Sequence, residues 1–140
     1  MQRRFFVVGN MKENELLKKY KKIAPETVQP LEFFLHAFEE VLNSLHAAEA
    51  ADKKADLSVF YNESTKACES FATISNTFLD LYYKADEQTQ ISLKNIQDMF
   101  ISTRIVIIKI LGESDPKSFE KAICAVEALK TIWINAEEVS

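Results

Sequence analysis

The sequence predicts an all-α protein, an antiparallel up-and-down four-helix bundle with a short additional N-terminal helix. Three observations carry that reading. Apolar residues recur at alternating spacings of three and four in four separate stretches, the mark of helices packed lengthwise on one another. Only two glycines and three prolines occur in 140 residues, too few for the many turns of an all-β fold. The phase of the apolar pattern also jumps between stretches, so one long rod gives way to separate helices with short connections. At this length a single domain over 1–140 can bury one real core.

Residues 1–8 have no helical period and suit an extended arm or a short strand. Gly9-Asn10 is a turn signal, and Asn10 with Glu13 three residues on forms a variant of the capping box. A short helix is expected from about Met11 to Ile23, with Leu16, Leu17, Tyr20 and Ile23 on one side. Pro25 ends it. Three turns are marginal in isolation, so this helix must dock on something.

The second helix, 30–53, starts with Pro30 in the first turn, where its missing donor costs nothing. Its seam is Leu31, Phe34, Phe38, Val41, Leu45 and Ala48, widened by Leu35 and Leu42. No glycine or proline separates it from the third, 56–84, whose seam runs Leu57, Phe60, Ser64, Ala67, Phe71, Ile74, Phe78 and Leu81. The seam phase nevertheless slips by more than a stutter or stammer allows. A chain reversal at 52–56 is therefore expected, with Asp56 as N-cap. Asp86 caps the fourth helix, 86–111, which carries Leu93, Ile96, Phe100, Thr103, Ile107 and Ile110. Gly112 closes it, and Asp115-Pro116 supplies the N-cap and first residue of the last helix, 115–138. Phe119, Ala122, Val126, Leu129, Trp133 and Ala136 form that seam.

Charge is unevenly placed. Residues 1–24 hold seven basic side chains, among them Arg3, Arg4, Lys18, Lys19, Lys21 and Lys22, against Glu13 and Glu15. That gives +5 on the arm and −9 on the remainder, for the net −4. A basic arm can meet an acidic protein, an anionic membrane surface or nucleic acid, or simply solvate a docked helix. The acidic body disfavours nucleic acid, and membrane association is expected only through 1–24. No run is apolar enough to span a bilayer, and Phe5-Phe6-Val7-Val8 is too short for a signal-peptide core. Cys68 and Cys124 are far apart and in no metal-like spacing, which favours a reducing, cytoplasmic setting over a disulfide scaffold.

Chemistry-bearing constellations are missing from the pattern. A carboxylate-bridged di-metal bundle needs two Glu-x-x-His motifs. Here neither His36 nor His46 is preceded by glutamate at that offset, and the two lie about 15 Å apart along one helix. A phosphohistidine at either position would be repelled by Glu39 or Glu49, three residues on. There is no G-x-S-x-G, phosphate-binding glycine loop or C-x-x-C-H. Cys68 flanks the seam as a structural thiol. Ser64 and Thr103 place hydroxyls in the seam, either bonded to the carbonyl one turn back or facing a ligand inside the bundle. The expectation is thus a non-enzymatic chain with no catalytic, cofactor-binding or metal residues and no cofactor.

One feature exceeds what a bundle requires. Beside the seam of the 86–111 helix, Ile101, Ile105 and Ile108 form a second apolar stripe. The short first helix or the Phe5–Val8 arm is the favoured cover, and a second subunit the next. With Lys18, Lys19, Lys21, Lys22, Arg3, Arg4, Phe5 and Phe6, these isoleucines make the candidate interaction surface. The expected function is a protein-interaction or regulatory module acting through exposed helix faces, with a protein partner or self-association. Binding of an apolar ligand or lipid in the interior and peripheral membrane attachment are the alternatives.

Overall fold

A computed structural model describes residues 31–113 and 115–139. The short helix expected over 11–23, the basic arm and Pro30 lie outside the described residues. Within them the chain forms four α-helices: α1 (Leu31–Lys53), α2 (Leu57–Lys84), α3 (Glu87–Gly112) and α4 (Pro116–Val139), and no strand. Each helix packs on its sequence neighbour, and α4 returns to pack on α1, so the four close a ring around one core.

Side-chain carboxylates start three of these helices. Asp56 Oδ1 accepts from the Val59 amide at 3.3 Å and Asp86 Oδ1 from the Thr89 amide at 2.7 Å. Asp115 Oδ1 accepts from the Lys117 and Ser118 amides at 2.7 and 3.1 Å. Each satisfies donors that a helix N-terminus leaves unpaired.

The reversal after α1 is made without glycine. Ala55 takes a left-handed conformation, φ 57°. The Asp56 amide donates to the Ala51 carbonyl at 2.9 Å and the Ala55 amide to Asp52 at 3.1 Å. That is the bond pair of a Schellman motif, which ordinarily takes glycine at this point. Asp56 both completes this cap and starts α2, so the turn needs only three residues. Alanine in the left-handed region is strained by about 1–2 kcal/mol. Ala55→Gly is therefore expected to raise stability by about 1 kcal/mol, read as a higher urea midpoint at unchanged slope.

By contrast, the end of α3 does not use its glycine in that way. Gly112 has no positive φ, and the Glu113 amide closes the helix by donating to the Lys109 carbonyl at 2.8 Å.

At the centre, Trp133 of α4 meets rings from all three other helices. Its centroid lies 5.1 and 5.4 Å from Phe34 and Phe38, 6.1 Å from Phe78 and 5.8 Å from Phe100. Phe100 also stacks on Phe78 at 4.9 Å and meets Phe71 at 5.6 Å. Seam aromatics from all four helices thus converge on one hub. Phe60 and Phe119 carry the core towards the α1–α2 turn.

Two seam positions behave differently from the pattern. Leu57, first in the α2 seam, is 63% exposed, because the packed surface starts only at Phe60, one turn further in. Ser64 is buried, and its hydroxyl has no hydrogen-bond partner, so it is not satisfied by the carbonyl one turn back. Thr73, Thr77, Ser92 and Thr131 do make that back-bond, from less buried positions. An orphaned buried hydroxyl is destabilising by about 1–3 kcal/mol. Removing it in Ser64→Ala is expected to leave stability equal or raised by up to about 1 kcal/mol, measured by thermal or urea unfolding.

Candidate interaction surface

Helix α3 exposes apolar surface on the side opposite its core seam. At about 100° per residue, Ile101, Ile105 and Ile108 fall within an arc of about 60°. They are 47%, 52% and 50% exposed, while Phe100, Thr103, Ile107 and Ile110 on the other side are buried. Leu57, Val59, Tyr61, Tyr83 and Ile91 are exposed too, but near helix ends. Single exposed apolar residues of that kind are ordinary; three in line along two turns are a face.

The two flanks of the stripe differ. Towards α2, Arg104 and Ile108 border a recess of about 60 Å³ with Cys68, Phe71 and Ile107. Towards α4, a groove of about 460 Å³ opens between Asn95, Asp98, Met99, Ser102 and Thr103 of α3 and Ala125 and Ala128 of α4. Small side chains on both helices make this groove shallow and open. Thr103 borders it, whereas Ser64 does not, so the two seam hydroxyls do not share a ligand space here. Ala125 and Ala128, three residues apart, were the sequence signal for this groove.

At the N-terminal end of the stripe, Lys94 Nζ contacts Asp98 Oδ1 at 3.0 Å and Gln97 Oε1 at 3.3 Å. The Asp98 hydrogen bond raises the Lys94 pKa from its ordinary value. Buried Gln97 reaches Tyr83 across to α2 at 3.4 Å, and Gln90 Nε2 donates to the Tyr82 carbonyl at 2.9 Å. These polar links tie α3 to the end of α2. Nothing in the apolar spacing announced them.

The remaining candidates are simple surface chemistry. His36 is exposed and sits 3.0 Å from Glu40 on its own helix, and His46 is exposed. Among the described residues no three His, Cys, Asp or Glu side chains converge to hold a metal ion, and no helix is long and apolar enough to cross a membrane. Lys130 pairs with Glu39, linking α4 to α1 at the surface. Arg3, Arg4, Phe5, Phe6, Lys18, Lys19, Lys21 and Lys22 lie outside the described residues.

Both cysteines are free thiols. Burial pushes the Cys68 pKa up, with the nearby Arg104 guanidinium acting in the opposite direction and Glu69 adding to the rise. Thiolate is the reactive form, so a raised pKa lowers reactivity at neutral pH. Cys124 is exposed on α4. Iodoacetamide at pH 7.5 is therefore expected to modify Cys124 well before Cys68, as read by peptide mass spectrometry. Faster modification of Cys68 contradicts that order.

The fold and surface together define a class, an all-α four-helix protein with an apolar face on α3. No protein-family model matches the chain, and no match emerges among curated proteins or solved structures.

Proposed function

We propose that this chain is a non-enzymatic interaction module that works by presenting the outward face of α3. The observation that carries this reading is the stripe of Ile101, Ile105 and Ile108, half exposed opposite a fully formed core seam. An apolar face on a helix that already buries its other side exceeds what the packing of the four described helices uses, and it invites a partner. An up-and-down antiparallel order belongs to the same reading. Its support is that helices packed on each other are joined by only two or three residues, at 54–56, 85–86 and 113–115. The two unpaired thiols fit a reducing, cytoplasmic setting.

The interior-ligand reading has less support, because aromatic rings from all four helices occupy the bundle centre. Membrane attachment rests on residues 1–24 alone.

The test is a photo-crosslinking residue placed at position 105 and, as control, at the exposed position 120 on α4. A discrete adduct is expected from position 105, and none from position 120. It should vanish when Ile101→Glu and Ile108→Glu are added. Equal background labelling at both positions contradicts the reading.

A further inference from the structure

We infer that residues 11–23 of this chain, part of its basic N-terminal segment, dock in cis into the groove between α3 and α4, at the acidic end of the bundle. The isoleucine stripe on the other side of α3 takes no part in this contact. Charge along the bundle and the point where the chain enters α1 carry the first half of the case. Phe34 and Phe78 meet Trp133 in the hub, and Gln90 and Gln97 reach Tyr82 and Tyr83. Those contacts gather the first halves of α1 and α3 with the second halves of α2 and α4, residues 31–42, 71–99 and 128–139. This half holds nine acidic and three basic residues, whereas 43–70 and 100–127 hold nine and seven, so the net charges are −6 and −2. Lys84, Lys94 and Lys130 already pair with Asp80, Asp98 and Glu39 inside the acidic half, and its excess charge is left over. Residues 1–24, at +5, join the bundle at this same end. Between them and α1 lie residues 25–30. With residue 24 these span up to about 23 Å when extended, and helices packed 8–10 Å apart put the groove about 20 Å from the α1 axis.

The lining of the groove carries the other half. A groove of about 370 Å³ along the last turns of α2 is lined by Asn76, Thr77, Asp80 and Lys84, with Leu81 its one apolar residue among those described, so it is polar and holds a cation. The α3–α4 groove instead has Met99, Thr103, Ala125 and Ala128 in its walls and no basic residue among those described. Ile91, 65% exposed, continues the line of Asn95, Asp98 and Ser102 towards the acidic end. Glu87, one turn before Ile91, and Glu127, beside Ala128, are exposed and join no ion pair among the described residues. Lys109, Lys117 and Lys121 stand towards the far end, so the groove is graded from acidic to basic. On the helical period expected for 11–23, Leu16, Leu17, Tyr20 and Ile23 share one side, and Lys19 and Lys21 flank it on opposite edges. Such a helix lays its apolar side in the groove and its lysines along acidic walls. The basic segment is then held by its own bundle, and only a more acidic surface displaces it.

The test places a photo-crosslinking residue at position 128 in the groove and, as control, at position 76 in the α2 groove. The full chain is irradiated at about 1 µM as a mixture of isotope-labelled and unlabelled copies, and the adducts are mapped by mass spectrometry. Position 128 is expected to capture a peptide from 11–23 of the same copy, and position 76 none of it. Combining Lys18→Glu, Lys19→Glu, Lys21→Glu and Lys22→Glu should lower the yield at least about fivefold, with the helical circular dichroism signal intact. About 1 M salt, where charges are screened beyond about 3 Å, should lower it too. Failure of position 128 to capture 11–23 overturns the inference, as does capture of that segment from position 76. A yield indifferent to both charge reversal and salt overturns it as well, and adducts of mixed isotope content replace the cis contact by one between copies. The crosslink from position 105 reads the isoleucine stripe separately, so either proposal can fail alone.

Discussion

Trp133→Ala is expected to lower stability by about 3–5 kcal/mol, a drop in melting temperature of about 10–20 °C. Trp133 is fully buried and touches Phe34, Phe38, Phe78 and Phe100 on three other helices. Truncation therefore removes contacts that hold all four helices at one point. Because those rings belong to rigid helices, they cannot collapse into the space, and the lost transfer free energy is joined by a cavity cost. The indole also carries a buried Nε1–H with no acceptor, so part of its burial is spent against an unpaired donor. Trp133→Phe keeps a ring in the hub and removes that donor. It should cost clearly less than the alanine change, at most about 1.5 kcal/mol. Equal losses for the two, measured by urea unfolding, would show that the hub does not depend on ring packing at this position.

The second large effect separates two isoleucines two residues apart. Ile107 is 2% exposed and Ile105 is 52% exposed on the same helix. Lysine at 107 must either bury an ammonium among Phe71 and its neighbours or push α2 and α3 apart, at several kcal/mol for an unpaired ion. Ile107→Lys is expected to be destabilised by about 4 kcal/mol or more and to be poorly folded at room temperature. Lysine at 105 keeps its charge in water and lays its stem along the helix, so Ile105→Lys should stay within about 0.5 kcal/mol of the parent at about 1 µM protein. Thermal unfolding by circular dichroism reads both. Comparable destabilisation would mean that the 105 face is packed in the folded monomer.

Much of the helical layout was legible because helix signals are local. Asp56, Asp86 and Asp115 announce helix starts through a carboxylate that reaches amides two or three residues on, and each makes that bond. The phase slip after Ala48 located a break that no glycine or proline marked. What the spacing could not convey was how the break is built, since alanine is an unfavoured choice for a left-handed residue and only the Ala51 and Asp52 carbonyls hold Ala55 there. Gly112 misled for the opposite reason: a glycine after a helical run suggests a left-handed cap, but here an ordinary backbone bond from Glu113 serves.

The candidate surface divides in the same way. That Ile101, Ile105 and Ile108 share one side of a helix follows from residue spacing alone. That this side faces away from the core depends on how far α2 and α4 wrap around α3, which no single segment encodes. The polar links of Gln97 to Tyr83 and of Gln90 to the Tyr82 carbonyl were equally hidden, because they join residues on different helices.

By itself, then, the sequence determined where helices begin, which residues share a face and how charge is divided, because those properties depend on neighbours within a turn or two. Tertiary structure alone decided which apolar residues are buried. It left Leu57 and the α3 stripe in solvent, enclosed Ser64 without a partner and gathered four aromatic rings around Trp133 and Phe100. Burial is settled by surfaces that meet across the chain, and a periodic pattern offers more apolar faces than one bundle can cover.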